Sequence, residues 1–253
     1  MLQLGQANSL AELFDAAKRA ETQLAGQLWF RGQENTRWQL VPSAHRRQAV
    51  LETQFVQHFR IRAPGLAANC PAHDDYVAWL PLMQHYGLPT RLLDWTESLL
   101  VAAYFATSNT STNEDGAIWM LAPGNLNRRS IGNLIPFLSH PSVKSIVSAA
   151  FGIQNGHLSP ECIAALAPRT DRRMTAQLGS YTIHRTRASL EEADDASGFL
   201  AKVSLPVSAR AQLTGELSTA GIRRSTLFPD LQNLAAEISD LRAFGKNGED
   251  LEL

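Results

Sequence analysis

From Leu99 to Ala106 the chain presents no charged side chain: Leu99, Leu100, Val101, Ala102, Ala103, Tyr104, Phe105 and Ala106 follow one another without a polar face. The stretch reads as a helix over residues 97–106, with Thr96 in the N-cap position. A helix that is apolar on every side needs cover on every side. It falls well short of the roughly 20 residues that span a bilayer, so the cover has to come from the rest of the chain. The segment that feeds it, Gln84-His85-Tyr86-Gly87-Leu88-Pro89-Thr90-Arg91-Leu92-Leu93-Asp94-Trp95-Thr96, is of the opposite kind. Gly87 and Pro89 fix backbone shape there, and Gln84, His85, Thr90, Arg91, Asp94 and Thr96 supply donors and acceptors. Such a density of polar groups beside a buried helix reads as the wall of a site. For His85 alone, satisfying a buried backbone group is the more common role.

The remaining composition is ordinary for a globular protein. Hydrophobic residues make up 44% and charged residues 19% of 253 positions, enough for one large domain with a full core. A net charge of −1 and a pI near 6.7 argue against strong non-specific nucleic-acid binding, which rests on many cations neutralising phosphates. The densest basic group, His45-Arg46-Arg47 with Arg60 and Arg62, reads as a solvated helix face. Cys70 and Cys162 stand in no metal-ligand spacing, so no metal is expected and both thiols are expected to be reduced. Residues 1–13 lack a basic n-region followed by an apolar run, and no stretch is long enough for a membrane helix. A cytoplasmic protein without membrane association is the expectation.

Along the chain, Ser9-Leu10-Ala11-Glu12 has the form of a capping box and predicts a first helix running to about Leu24, with Gly26 as its stop. Residues 28–31 read as a strand. Residues 37–41 alternate, with Trp38 and Leu40 on one face. Helices are predicted over 48–62, with Leu51, Phe55 and Phe59 as its stripe, and over 74–86, where Pro81 introduces a kink and Gly87 a left-handed cap. Residues 88–94 read as irregular or extended, 117–121 as a buried strand, and 159–161 as the start of a short helix. Residues 174–183 read as extended around Gly179, 199–207 as a strand, 208–220 as a helix ended by Gly221, and Leu231, Leu234, Ile238 and Leu241 as the stripe of a last helix. These elements make one domain over 1–244, with an insertion of undefined structure at about 125–168 and a polar tail at 245–253.

The sequence contains no G-x-G-x-x-G after a strand, no Walker loop, no H-E-x-x-H and no G-x-S-x-G. What stands out besides the central segment is Phe30-Arg31-Gly32-Gln33. An arginine at the end of an apolar strand is costly unless it meets an anion or a carboxylate. Either an anionic ligand or a structural pair, for example with Asp94, satisfies it. Gly32 permits close approach of a ligand or of backbone.

Phe30-Arg31-Gly32-Gln33 followed by Trp38-Gln39-Leu40-Val41-Pro42-Ser43 resembles the opening of the FRG domain, a family named for its Phe/Tyr-Arg-Gly motif. The segment from Gln84 to Thr96, leading into Ala102-Ala103-Tyr104-Phe105-Ala106, is similar to that family's central block. Gln177-Leu178-Gly179-Ser180-Tyr181-Thr182, Gly221-Ile222 and Thr226-Leu227-Phe228-Pro229-Asp230-Leu231 resemble its later blocks. The order of blocks is in turn similar to that of ADP-ribosyltransferases. That resemblance implies an α+β fold with two small mixed or antiparallel sheets flanked by helices, and NAD as substrate. It implies catalytic roles for Arg31, Asp94 and Gln177, and a ligand-binding surface from Arg31, Gly32, Gln33, His85, Arg91, Thr96 and Tyr104. At the third catalytic position this sequence has Gln177 where the transferases carry glutamate. Glu216, on a predicted helix, is the weaker substitute. The implied activity is nicotinamide release or ADP-ribosyl transfer to an unnamed acceptor, as in a toxin or phage-defence effector, with an antitoxin or regulatory protein as possible partner. The alternative is a module that binds a nucleotide or senses a partner without turnover.

Overall fold

The computed structural model describes residues 1–46, 52–109, 111–148, 160–169 and 171–239. Seven strands form one mixed sheet: β1 (Leu2–Gln6), β2 (Trp29–Gln33), β3 (Leu92–Thr96), β4 (Gly116–Leu121), β5 (Cys162–Leu166), β6 (Gly179–His184) and β7 (Leu200–Leu205), in the order β1-β7-β4-β2-β3-β6-β5. β1 and β7 run parallel, and all other neighbours are antiparallel. The helices are α1 (Leu10–Leu24), α2 (Ser43–Arg46), α3 (Glu52–Arg62), α4 (Tyr76–His85), α5 (Leu99–Thr107), α6 (Pro123–Arg128), α7 (Pro141–Ser148), α8 (Arg172–Gln177), α9 (Arg210–Thr219), α10 (Arg224–Leu227) and α11 (Leu231–Ser239). Among the described residues, no helix is long and apolar enough to cross a membrane.

The expected α+β class is present, but the two expected sheets are one. The single sheet comes nearest to dividing in two at the middle of the order. β2 pairs with β4 over five positions and β3 with β6 over five, whereas β2 and β3 meet only at Phe30 and Thr96. Beyond that rung the two strands part.

Side-chain alternation sorts the core accordingly. On one face Phe30, Ile118, Met120, Ala201 and Val203 pack under α1, α5 and α9. On the same face, past the parting, Leu92, Ile163, Ala165, Tyr181 and Ile183 pack under α3, α4 and α7. The opposite face carries one cluster across both halves: Trp29, Trp119 and Leu121 join Leu93, Trp95 and Ala164, closed by Leu40 and Phe199. One side of the sheet is therefore split and the other is continuous.

Several elements differ from the sequence reading. In α1 the Ser9 hydroxyl accepts from the Glu12 N–H at 3.3 Å, but the Glu12 carboxylate reaches Asn8 N–H at 2.8 Å, and Ala25 rather than Gly26 takes the left-handed cap. Residues 37–41 are loop: Leu40 is buried while Trp38 stays 48% exposed, so their apparent alternation is not a strand. α3 begins at Glu52, and Leu51 lies outside the described residues; its buried positions are Glu52, Val56 and Arg60, with Phe55 and Phe59 only partly covered. Of the passage read as irregular or extended, the part from Leu92 is the buried strand β3, which runs on to Thr96, and the helix after it is capped by Ser98, which accepts from Val101 N–H at 3.3 Å. Residues 174–177 are helical because Asp171 caps α8 through Met174 N–H at 2.8 Å, and only from Gly179 does the chain extend. Glu161 precedes strand β5 rather than a helix, and β5 is the edge of the sheet. Of the stripe expected in α11, Leu231, Leu234 and Ile238 face outward, 82%, 41% and 54% exposed, and Leu241 lies outside the described residues.

Candidate functional site

The parting of β2 from β3 opens into a cleft of about 810 Å³, between α5 on one side and α4 and α8 on the other. It lies on the split face of the sheet, between the two separate halves of the core. Asp94 and Thr96 of β3 face it, while Arg31 and Gln33 share the Trp29 and Trp119 side of β2 and border it through the parting between the strands. Trp38 and Tyr86 stand at its rim as exposed rings, 48% and 65% accessible.

Arg31 is the group most altered by this position. Its Nη1 donates to the Asp94 carbonyl at 2.6 Å, bridging the strands where their ladder has ended. Its Nε is buried without a partner. Burial lowers the guanidinium pKa to about 10, with Asp94 acting against that shift and Arg46 adding to it. The group remains a cation at neutral pH. Arg46, whose Nε is anchored on the Val41 carbonyl at 2.7 Å, also lines the cleft, and burial lowers its pKa as well.

The Asp94 carboxylate does not pair with Arg31. It faces the cleft and accepts from Gln84 Nε2 at 2.5 Å, and the Gln84 carbonyl in turn accepts from the Thr90 hydroxyl. Burial, and then the charges of Asp94 and Asp171, raise the pKa of the Tyr181 phenol in the same wall. Across the mouth, His85 Nδ1 lies 3.8 Å from Asp171 Oδ2. Gln33 is 3% exposed; its carbonyl accepts from the Trp119 indole at 2.7 Å, and its Nε2 has no partner among the described residues.

Residues 26–115 match the family model of the FRG domain. That segment is an FRG domain. No curated protein and no solved structure matches the chain. The FRG domain runs from the approach to β2 as far as the start of β4, so it contains both diverging strands and α5. Gln177, Asp171, Arg173 and Tyr181, which complete the cleft, lie beyond it.

Of the residues singled out in the sequence, Arg31, Gly32, Gln33, His85, Asp94, Thr96 and Gln177 line the cleft. Two do not. Arg91 is buried against α3: its Nε and Nη2 donate to Glu52 Oε2 at 2.9 and 2.7 Å, and its Nη1 to the Ile146 carbonyl at 2.9 Å. With its donors engaged there, Arg91 is a structural brace of the FRG domain. Tyr104 points from α5 into the neighbouring core, with Phe105 at 5.7 Å between ring centroids, and Phe105 rather than Tyr104 reaches the cleft.

Other assignments change in kind. The close approach at Gly32 is by backbone: a Cβ there would lie 1.9 Å from the Ala102 carbonyl oxygen of α5. Thr96 is no helix cap; its hydroxyl donates to the Gln177 carbonyl at 2.6 Å and accepts from Ser98 N–H at 3.0 Å. Gln177 ends a helix instead of lying on a strand, and its side-chain amide donates to the Leu227 carbonyl at 3.1 Å. Glu216 lies on α9 and caps α1 through Leu10 N–H at 2.6 Å, away from the cleft. Asp171 and Arg173, which sequence reasoning missed, come from the N-cap and first turn of α8. Their only signal was an acidic helix cap followed by two arginines.

Proposed function

We propose that the cleft binds NAD or a closely related dinucleotide and cleaves its nicotinamide N-glycosidic bond. The observation that carries this reading is the meeting of a buried guanidinium and an accessible carboxylate, Arg31 and Asp94, where β2 and β3 part. Arg31 is suited to a phosphate, because its fork matches two oxygens and its low-polarity surroundings strengthen the attraction. Asp94 is suited to the positive charge that builds on the ribose as nicotinamide leaves, as carboxylates serve in glycosidases. The Gln84 hydrogen bond holds that carboxylate in place and leaves its second oxygen open. Trp38 and Tyr86 offer exposed ring faces for a base. Water or an acceptor nucleophile then takes the ribosyl carbon.

A second reading, ligand binding without turnover, draws on Gln177. Its amide is committed to Leu227, and no carboxylate occupies its place. The two readings part in one experiment, in which purified protein is incubated with NAD and free nicotinamide is followed, with Arg31→Ala alongside. Release that falls by roughly 100-fold or more in a folded variant supports the enzyme, on the scale of losing one preorganised electrostatic contact. Thermal stabilisation by NAD without release supports the binding module; ligand at about 100 times its Kd adds roughly 2.7 kcal/mol. Neither effect in folded protein would sink both.

A further inference from the structure

Thr90 is fully buried and does not line the cleft, yet it decides how one cleft residue is turned. Its main chain is held on both sides by α2. The Thr90 N–H donates to the Ser43 hydroxyl at 3.3 Å, and the Thr90 carbonyl accepts from Ala44 N–H at 3.1 Å. The side-chain hydroxyl is thereby presented at a fixed point. It accepts from Leu92 N–H at 3.2 Å and donates its one hydrogen to the Gln84 carbonyl oxygen. The chain of donors continues from Gln84 Nε2 to Asp94 Oδ1 at 2.5 Å.

Turning the Gln84 amide over would bring its oxygen against the Asp94 oxygen. Two oxygens meet in that way only when the carboxyl carries a proton between them. The flipped amide therefore belongs with a protonated Asp94, and the observed amide with an ionised one. The flip also sets the Gln84 NH2 against the Thr90 oxygen, so the Thr90 hydrogen loses its acceptor. Among the described residues it has no other, and a buried donor left open is costly. We infer that Thr90 is a positioning residue: by fixing the NH2 end of Gln84 toward Asp94, it keeps that carboxylate ionised and aimed into the cleft. This rests on the proposed reading of Asp94 as the group that meets the charge on the ribose, and adds what controls its proton. The charges of Arg31 from β2 and Arg46 from α2 also bear on Asp94, as does Tyr181 from β6. His85 from α4 and Asp171 and Arg173 from α8 line the same cleft. Substitution of Thr90 leaves all six in place, so their effect is common to every variant.

The test is a ¹³C NMR titration of the carboxyl carbons in the full-length protein, with Asp94→Asn to assign Asp94. Thr90→Val keeps the volume and removes the hydroxyl. The Asp94 midpoint is expected to rise there by about one pH unit or more, the scale of one hydrogen bond to a charged group. Thr90→Ser keeps the hydroxyl and is expected to return the midpoint to that of the natural chain. The acid limb of nicotinamide release is expected to follow the midpoint in both variants. Thr90→Val also takes the acceptor from Leu92 N–H and can unfold the protein, so the unmodified chain supplies a second readout. Its Gln84 side-chain NH2 resonances are expected to move with the Asp94 midpoint. An unchanged midpoint in folded Thr90→Val, an equal rise in Thr90→Ser, or Gln84 resonances unmoved through the Asp94 titration overturns the role of Thr90. A raised midpoint with no nicotinamide release from any chain upholds that role and removes the enzymatic reading. Nicotinamide release with a midpoint that Thr90→Val does not move does the reverse.

Discussion

At Gly32 the backbone of β2 lies against the backbone of α5 with no space for a side chain. An added Cβ would stand 1.9 Å from the Ala102 oxygen and 2.7 Å from the Ala106 nitrogen, and neither main-chain atom can swing aside. Gly32→Ala is expected to cost about 3 kcal/mol or more, the upper end of overpacking losses, read as a fall in the urea midpoint at unchanged m. Asp94→Asn is the complementary case. Asparagine keeps an oxygen for Gln84 Nε2 and removes only the charge, so nicotinamide release is expected to drop roughly 100-fold while the melting temperature holds. An unchanged rate would remove Asp94 from the chemistry. Most of the cleft was legible at this scale because Arg31, Gln33, Asp94 and Thr96 sit within polar, shape-fixed segments of an otherwise apolar chain. Arg91 was not. In sequence it has the same surroundings as Arg31, and what distinguishes it is Glu52, 39 residues away, a contact only the tertiary fold makes.

Between elements, the pair of Glu52 and Arg91 ties the start of α3 to the chain entering β3, with both side chains under 10% exposed. Glu52→Gln leaves a buried guanidinium without its counter-charge and is expected to cost about 3–5 kcal/mol, measured by denaturant unfolding; Glu52→Gln combined with Arg91→Met is expected to recover part of it. The elements that sequence reading found easily carry their own punctuation. α1 has Ser9, α4 is capped by Asp75 and followed by Gly87 at φ +83°, and α9 is followed by Gly221 at φ +79°. Those it missed carry none. β1 is a five-residue edge strand with Gly5 inside, and β5 follows a proline that looked like a helix start; β3, read as irregular or extended, interrupts its apolar run with Asp94. Their state is decided by partners in the sheet, which local propensity does not contain.

The whole sheet is held together on its continuous face, and there lies its response to acid. Trp95 Nε1 donates to the Thr182 hydroxyl at 3.0 Å, and the same hydroxyl is hydrogen-bonded to His184 Nε2 at 2.9 Å. Burial lowers the His184 pKa to about 3, below an ordinary 6.5, so the ring is neutral at pH 7. Below pH 6.5 the unfolded chain gains a proton there that the folded chain refuses. The stability linked to His184 is therefore complete above about pH 6.5 and is lost as the pH falls toward 3, at up to about 1.4 kcal/mol per pH unit. Urea unfolding at pH 7 and pH 4.5 is expected to show a smaller loss in His184→Gln than in the natural chain. An equal loss would place the acid sensitivity elsewhere. Sequence reading anticipated the α+β class and divided the strands into two sheets. It could not see that tryptophans spaced far along the chain, Trp29, Trp95 and Trp119, would close one side of them into a single layer.

The lone rung at Phe30 and Thr96 has a mechanical consequence. The sheet behaves as two boards glued along their backs and open along their fronts, and whatever occupies the gap touches both boards at once. A bound ligand acts there as a splint, stiffening the joint from the side where the protein supplies almost no stiffness of its own.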